Sequence, residues 1–238
     1  MSDADRKVAV ITGGSQGIGA GLVAAYRARG WAVVANSLTI EPSKDPDVLA
    51  VAGDVSEPTT AERIADGAIE RFGRIDTLVN NAGVFMSKPF TEYTAADYAL
   101  VVGVNLAGFF WTTQRVIAEM ESRGGGHVVQ VSATVADVAD SGSPSVLAAL
   151  TKGGLAAATR SLAIEYAARG IRVNAVSPGI IQTSMHPPGS YDGLGDRMPP
   201  LGRVGTVDDV VGGILLLEDS PYITGEVLHI DGGQIAGH

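Results

Sequence analysis

Thr12-Gly13-Gly14-Ser15-Gln16-Gly17-Ile18-Gly19 is a glycine-rich turn between a short apolar run, Lys7 to Thr12, and a stretch of helical apolar spacing, Ile18 to Arg29. Without Cβ atoms, the backbone N–H groups of such a turn can approach an anion closely. The helix start that follows adds its dipole, so the chemistry on offer is a pyrophosphate cradle. The spacing is TGxxxGxG rather than GxGxxG, and its meaning comes from the strand before it and the helix after it. Metal chemistry is not expected: His127, His186, His229 and His238 share no ligand spacing, and there is no cysteine. His186, on a long loop, could supply a proton but reads first as exposed polar surface.

The elements that would position this turn repeat along the chain. Trp31 to Ala35, Val48 to Ala52, Thr77 to Asn80, His127 to Ser132, Arg172 to Ser177 and Glu226 to Ile230 join Lys7 to Thr12 as strand candidates, and helical stretches alternate with most of them. They are rich in Val and Ile without polar alternation, as strands buried on both faces are. The expected fold is a doubly wound Rossmann-type α/β sandwich, a seven-stranded, mostly parallel sheet with helices on both faces. No linker divides residues 1–238, so one domain is expected. Thr94 with Asp97 and Thr206 with Asp209 have capping-box spacing, and Ser143-Pro144 reads as a cap before a first-turn proline. The stretch 178–205, dense in Pro and Gly, is too long for a plain connection and follows a strand's carboxyl end, which suits a lid over a substrate.

Composition narrows the partners. The 238 residues carry a net charge of −9 with a pI near 4.8, which leaves no footprint for nucleic acid or an anionic membrane surface. The absence of cysteine fits a reducing, cytoplasmic setting. No export signal is legible at Met1 to Lys7. The longest apolar stretch, Ala99 to Trp111, is broken by Gly103, Asn105 and Gly108, so no membrane span is expected.

With TGGSQGIG at the first turn, Asn80-Asn81-Ala82-Gly83 after the fourth strand and Ser177-Pro178-Gly179 after the sixth, the chain resembles the short-chain dehydrogenase/reductase family. The likeness runs from about Val8 to Gly233 and includes Asn105, Lys152, Thr183 and Asp231-Gly232-Gly233. It implies a nicotinamide cofactor, with Gly13, Ser15, Gln16, Gly17, Ile18 and Gly19 around the pyrophosphate and Asp54 and Val55 at the adenine. Asn81, Ala82 and Gly83 would lie near the adenosine ribose, and Pro178, Gly179 and Thr183 near the nicotinamide. The second strand ends in Asn36-Ser37-Leu38, where a carboxylate would bind the ribose hydroxyls of NAD and an arginine the 2′-phosphate of NADP. Asn36 and Ser37 can donate to a phosphate without repelling it, which points to NADP(H). Leu38, and a glycine turn with no basic residue, keep NAD(H) open.

The departure is at the proton donor. The family pattern is Tyr-x-x-x-Lys, in which the phenol is the acid/base and the lysine lowers its pKa and holds the ribose; here Lys152 is present but Ala148 stands at the tyrosine position. The hydroxyl that polarises the substrate oxygen is expected at Ser132, with Thr134 as the alternative and Ala133 at the most direct alignment. Ser145 and Thr151 read as capping or solvated hydroxyls. The catalytic set is therefore Asn105, Ser132 and Lys152. Loss of a positioned acid slows such a reaction by about 10²–10⁴-fold without removing hydride transfer. Two classes follow: an NAD(P)-dependent oxidoreductase of small carbonyls or alcohols with an altered donor, or a catalytically silent cofactor-binding sensor or partner subunit. Phe85, Met86, Met185 and Tyr191 fit either the lining of an apolar substrate pocket or the packing of the lid. The long apolar helices around Asn105 and Ala156, with Val207 to Leu217 and Glu226 to Ile230, offer two faces for a homo-oligomer. The resemblance makes that a homotetramer.

Overall fold

The computed structural model describes residues 6–184 and 199–237. Seven parallel strands form one sheet in the order β3-β2-β1-β4-β5-β6-β7. They are β1 (Val8–Thr12), β2 (Ala32–Ser37), β3 (Val48–Ala52), β4 (Thr77–Asn80), β5 (Gly126–Val131), β6 (Ile171–Pro178) and β7 (Val227–Ile230). The chain winds outward from β1 to β3, returns to β4 beside β1, and continues to β7. The reversal beside β1 opens a crevice at the carboxyl ends of β1 and β4, where doubly wound sheets bind ligands.

Helices α1 (Gly17–Ala28) and α6 (Val207–Glu218) cover one face, burying Leu22, Tyr26, Val210 and Ile214 against Ile11, Val33 and Val129. On the other face α2 (Pro58–Phe72), α4 (Gly108–Arg123) and α5 (Val146–Tyr166) bury Ile64, Val116, Met120 and Ala163 against Val10, Leu78 and Val128. Every residue of β1 is buried. This is why the inner strands read as unbroken apolar runs; the edge strands β3 and β7 are only partly buried.

Two capping boxes form as the spacing predicts, Thr94 with Asp97 ahead of α3 (Ala95–Val102) and Thr206 with Asp209 ahead of α6. The third expected start is corrected. Helix α5 begins at Val146 behind Ser145, two residues beyond Pro144, because the Pro144 carbonyl is taken by the Lys88 N–H at 2.9 Å and the Ser87 hydroxyl at 3.0 Å.

The glycines that break the apolar stretch do not end its helix either. Gly103–Ala107 forms a single wide π-turn that joins α3 to α4, so Ala95–Arg123 is continuous and, by length and composition, apolar enough to cross a membrane. Here one side of it is buried, Val116 and Met120 packing on the sheet and Val101 and Thr112 lying inside the fold. Tyr98, Leu100 and Phe110 remain exposed.

Candidate active site

Strand β1 ends at Thr12, and the turn that follows depends on glycine: Gly13 (φ +66°) and Gly17 (φ +53°) are left-handed. At Gly19 a Cβ would lie 2.0 Å from the Gly13 carbonyl oxygen, so only glycine lets α1 start this close to the strand. Asn81, at the end of β4, clamps the turn by donating to the Thr12 and Gly13 carbonyls at 3.0 and 3.1 Å. Thr12 Oγ1 accepts from the Asn81 and Ala82 N–H groups in return. The first N–H groups of α1, at Gly17, Ile18 and Gly19, have no acceptor within the helix and open it at the carboxyl end of β1. This backbone cradle fits the pyrophosphate of a dinucleotide.

The remaining cofactor positions surround it. Gln16 caps α1, and its side-chain oxygen accepts from the Ser184 hydroxyl at 3.1 Å, while Thr183 lies against Gly17. The segment after β6 thus meets the glycine turn. Ser15 and Ser37 pair through their hydroxyls at 2.9 Å on the exposed rim. Asp54 uses one carboxylate oxygen to accept from the Ser56 N–H and hydroxyl, and Val55 is buried against Gly108.

Asn36 is a correction. Its side chain is wholly buried and donates to the Val51 and Gly53 carbonyls at 2.9 and 3.1 Å. The amide expected to meet a phosphate instead ties β2 to the end of β3.

The corner expected to be catalytic lies between β4, β5 and α5. The Lys152 ammonium donates to the Val131 carbonyl at 2.7 Å and sits against Gly83, where a Cβ would come within 3.2 Å of it. Burial lowers its pKa to about 8. Asn105, in the π-turn, accepts from the Val84 N–H at 2.9 Å and donates to the Val84 carbonyl and to Thr151 Oγ1 at 3.0 and 3.1 Å. Its side chain is spent on bracing, and Thr151, read as a solvated or capping hydroxyl, is fully buried as the other half of that brace.

Ser132 is 4% exposed and donates its hydroxyl to the Lys152 carbonyl at 3.1 Å, so the proton meant for a substrate oxygen goes to α5. Thr134 opens a short 3₁₀ turn, Thr134–Ala136, beside it and is half-buried. Ala148 lies one turn before Lys152 and is 2% exposed.

Pro178 ends β6, and the Gly179 N–H donates to the Ile230 carbonyl at 3.0 Å. Gln234, which sequence reasoning missed, accepts from the Ile180 N–H at 3.1 Å, and Asp231 accepts from the Gly233 and Ile235 N–H groups. The only signal for Gln234 was its place behind Asp231-Gly232-Gly233. The described ends of the stretch 178–205, expected as a lid, are joined, the Gln182 N–H donating to the Gly205 carbonyl and the Gly205 N–H to that of Ile180, each at 2.8 Å. Met185, His186 and Tyr191 lie outside the described residues. Phe85 is exposed beside the crevice, and the Met86 carbonyl accepts from the Tyr93 hydroxyl at 2.9 Å. Among the described residues no three groups converge as a metal site.

A family model described as enoyl-(acyl carrier protein) reductase matches residues 13–234. A 3-oxoacyl-(acyl-carrier-protein) reductase from Thermotoga maritima is 34% identical over 96% of this chain and 98% of its own length. The chain belongs to the short-chain dehydrogenase/reductase family. Levodione reductase from Leifsonia aquatica is 33% identical over 98% of this chain and 95% of its own length. Among solved structures, ElxO with NADP bound superposes with a TM-score of 0.88 at 28% identity, covering 98% of this chain and all of that one. A 3-ketoacyl-(acyl-carrier-protein) reductase from Brucella melitensis complexed with NADH gives the same TM-score and identity, covering 98% and 99%. As a short-chain dehydrogenase/reductase the chain is an NAD(P)-dependent oxidoreductase, and Ala148 stands where the resemblance places a phenol.

Proposed function

We propose that this oxidoreductase acts on small carbonyls and alcohols with Lys152, rather than a phenol, managing the proton. The observation that carries this reading is the Lys152 corner, an ammonium held by the Val131 carbonyl against Gly83, one helical turn from Ala148. A bound nicotinamide supplies or takes up the hydride. Lys152 would hold the ribose of that cofactor and would give a proton to the developing alkoxide, directly or through a water. A pKa of about 8 suits a general acid at neutral pH. Asn105 and Thr151 move no proton; they fix α5 against the segment after β4. The relatives named for ketone reduction support the carbonyl class.

The same reading prefers NADP(H) over NAD(H). No carboxylate stands at the end of β2, and the Ser15–Ser37 hydroxyl pair faces solvent there. A cytoplasmic homotetramer completes it. Tyr98, Phe110, Leu150 and Ile164 are exposed on the α3 to α5 layer, and Leu216 and Tyr222 lie near β7, the sheet's edge strand. Two separate patches suit closed dihedral assembly.

The deciding experiment is a panel of carbonyls and alcohols at high enzyme concentration, followed by cofactor absorbance. Turnover of any member supports the reading. Tight cofactor binding with no turnover would return the chain to a silent sensor or partner subunit, and a monomer by light scattering would remove the assembly.

A further inference from the structure

Arg63 lies on the exposed side of α2 and turns back over the end of β3. Its Nη2 is 3.3 Å from Thr60 Oγ1, and a Cβ on Gly53 would fall 2.3 Å from that nitrogen. A side chain at position 53 would therefore displace the guanidinium, and glycine keeps the place open. Arg27, Arg29, Arg74, Arg115 and Arg203 all hold carboxylates. Among the described residues none pairs with Arg63, although the chain carries nine more acids than bases. One bond at the outer edge of hydrogen-bond range holds the guanidinium, so it can reorient at little cost.

Gly53 links this cation to the rim of the cofactor crevice. Its N–H donates to the Ser37 carbonyl at 2.9 Å, and the hydroxyl of Ser37 pairs with that of Ser15. A guanidinium at the end of β3 and two hydroxyls at the end of β2 thus lie at the carboxyl ends of paired neighbouring strands, joined through the Gly53–Ser37 bond immediately before Asp54. This donor set suits a phosphomonoester: the charge comes from a planar fork and the neutral donors orient the oxygens. Leu38, 68% exposed, leaves the end of β2 without a cation of its own.

We propose that Arg63 reads the 2′-phosphate of NADP(H), supplying from α2 the positive charge that the end of β2 lacks. The inference rests on the cofactor preference above and deepens it by naming the residue that sets it.

Calorimetry with 2′,5′-ADP and 5′-ADP tests it without turnover, on wild type, Arg63→Gln and Arg63→Lys. Wild type is expected to bind 2′,5′-ADP more tightly. In Arg63→Gln that ligand should weaken about 10- to 100-fold, as loss of a charge-assisted bond implies, while 5′-ADP stays within about twofold and Arg63→Lys falls between. Arg63 is exposed, so the melting temperature should hold and report that the variants fold. Equal weakening of both ligands would assign Arg63 to the adenine and overturn the proposal, as would no change in either or a wild type indifferent to the 2′-phosphate. Failure of wild type to bind NADPH and NADH alike would instead remove the proposed function.

Discussion

The Lys152 ammonium donates to the carbonyl oxygen of Val131 at 2.7 Å, so this buried cation is held by main chain. Among the described residues no carboxylate lies within ion-pair distance of it. Burial without a counter-charge makes the neutral amine easier to reach, and the pKa of about 8 has that cause.

The first prediction is a pH profile. If Lys152 is the proton source, carbonyl reduction should be fastest with the amine protonated and fall as pH rises through about 8. Single-turnover rates between pH 6 and pH 10, at saturating cofactor, measure this. A flat profile, or turnover that survives Lys152→Met, would place the proton elsewhere.

Ala148→Tyr should raise the rate by putting a phenol one turn from Lys152, whose charge favours the phenolate. The ceiling is about 10²–10⁴-fold. Since Ala148 is 2% exposed, a ring must displace neighbours, at a cost of roughly 1–3 kcal/mol. Kinetics and a urea melt on the same variant separate the effects. Lost stability with no gain in rate would mean that the site no longer presents substrate in the family geometry.

Gly19→Ala should lose cofactor binding and stability together, because its methyl would lie 2.0 Å from the Gly13 carbonyl oxygen and 2.7 Å from Asn81 Nδ2. Fluorescence titration with NADPH and thermal melting report the two losses. Wild-type affinity in this variant would show that α1 can withdraw without cost to the cradle.

The far end of the sheet carries its own pH dependence. Glu218, at the end of α6, accepts from the Tyr26 and Thr77 hydroxyls and from His127 Nδ1 at 3.0 Å; His127 Nε2 accepts from Asn174. Burial lowers the His127 pKa. Burial pushes the Glu218 carboxyl up, but the bonds from His127, Thr77 and Tyr26 outweigh it and hold the group below its usual value. The unfolded chain takes up the imidazole proton near pH 6.5, and the folded chain resists it. Stability should therefore fall as pH drops below about 6.5, and again at lower pH as Glu218 protonates. Glu218→Ala leaves buried donors unpaired at about 1–3 kcal/mol each, so the loss should be roughly 3 kcal/mol or more. Denaturant melts from pH 8 to pH 4.5 check both, and a flat wild-type curve would contradict the account.

The inner strands were legible because they are buried on both faces: residues 8–11 and 32–35 announce themselves by apolarity alone. The glycine turn was legible because its spacing leaves backbone exposed. Asn36 was not, since side chains alternate across a strand and residue identity does not say which of Asn36 and Ser37 faces the crevice. The same limit hid Thr151, whose partner Asn105 is distant in sequence. The helix start at Ser143-Pro144 was misjudged because a tertiary bond to Pro144 prevailed over the local cap.

The brace centred on Asn105 also governs when the site comes into being. It joins Val84, 21 residues away, and Thr151, 46 residues away. Such nonlocal closures form only after the intervening chain has ordered, so during refolding the catalytic corner should be completed after the sheet that carries it. It is equally the part that can come apart without global unfolding. Hydrogen exchange at the Val84 amide would then register openings of the corner alone, a reserve of local freedom within a rigid scaffold.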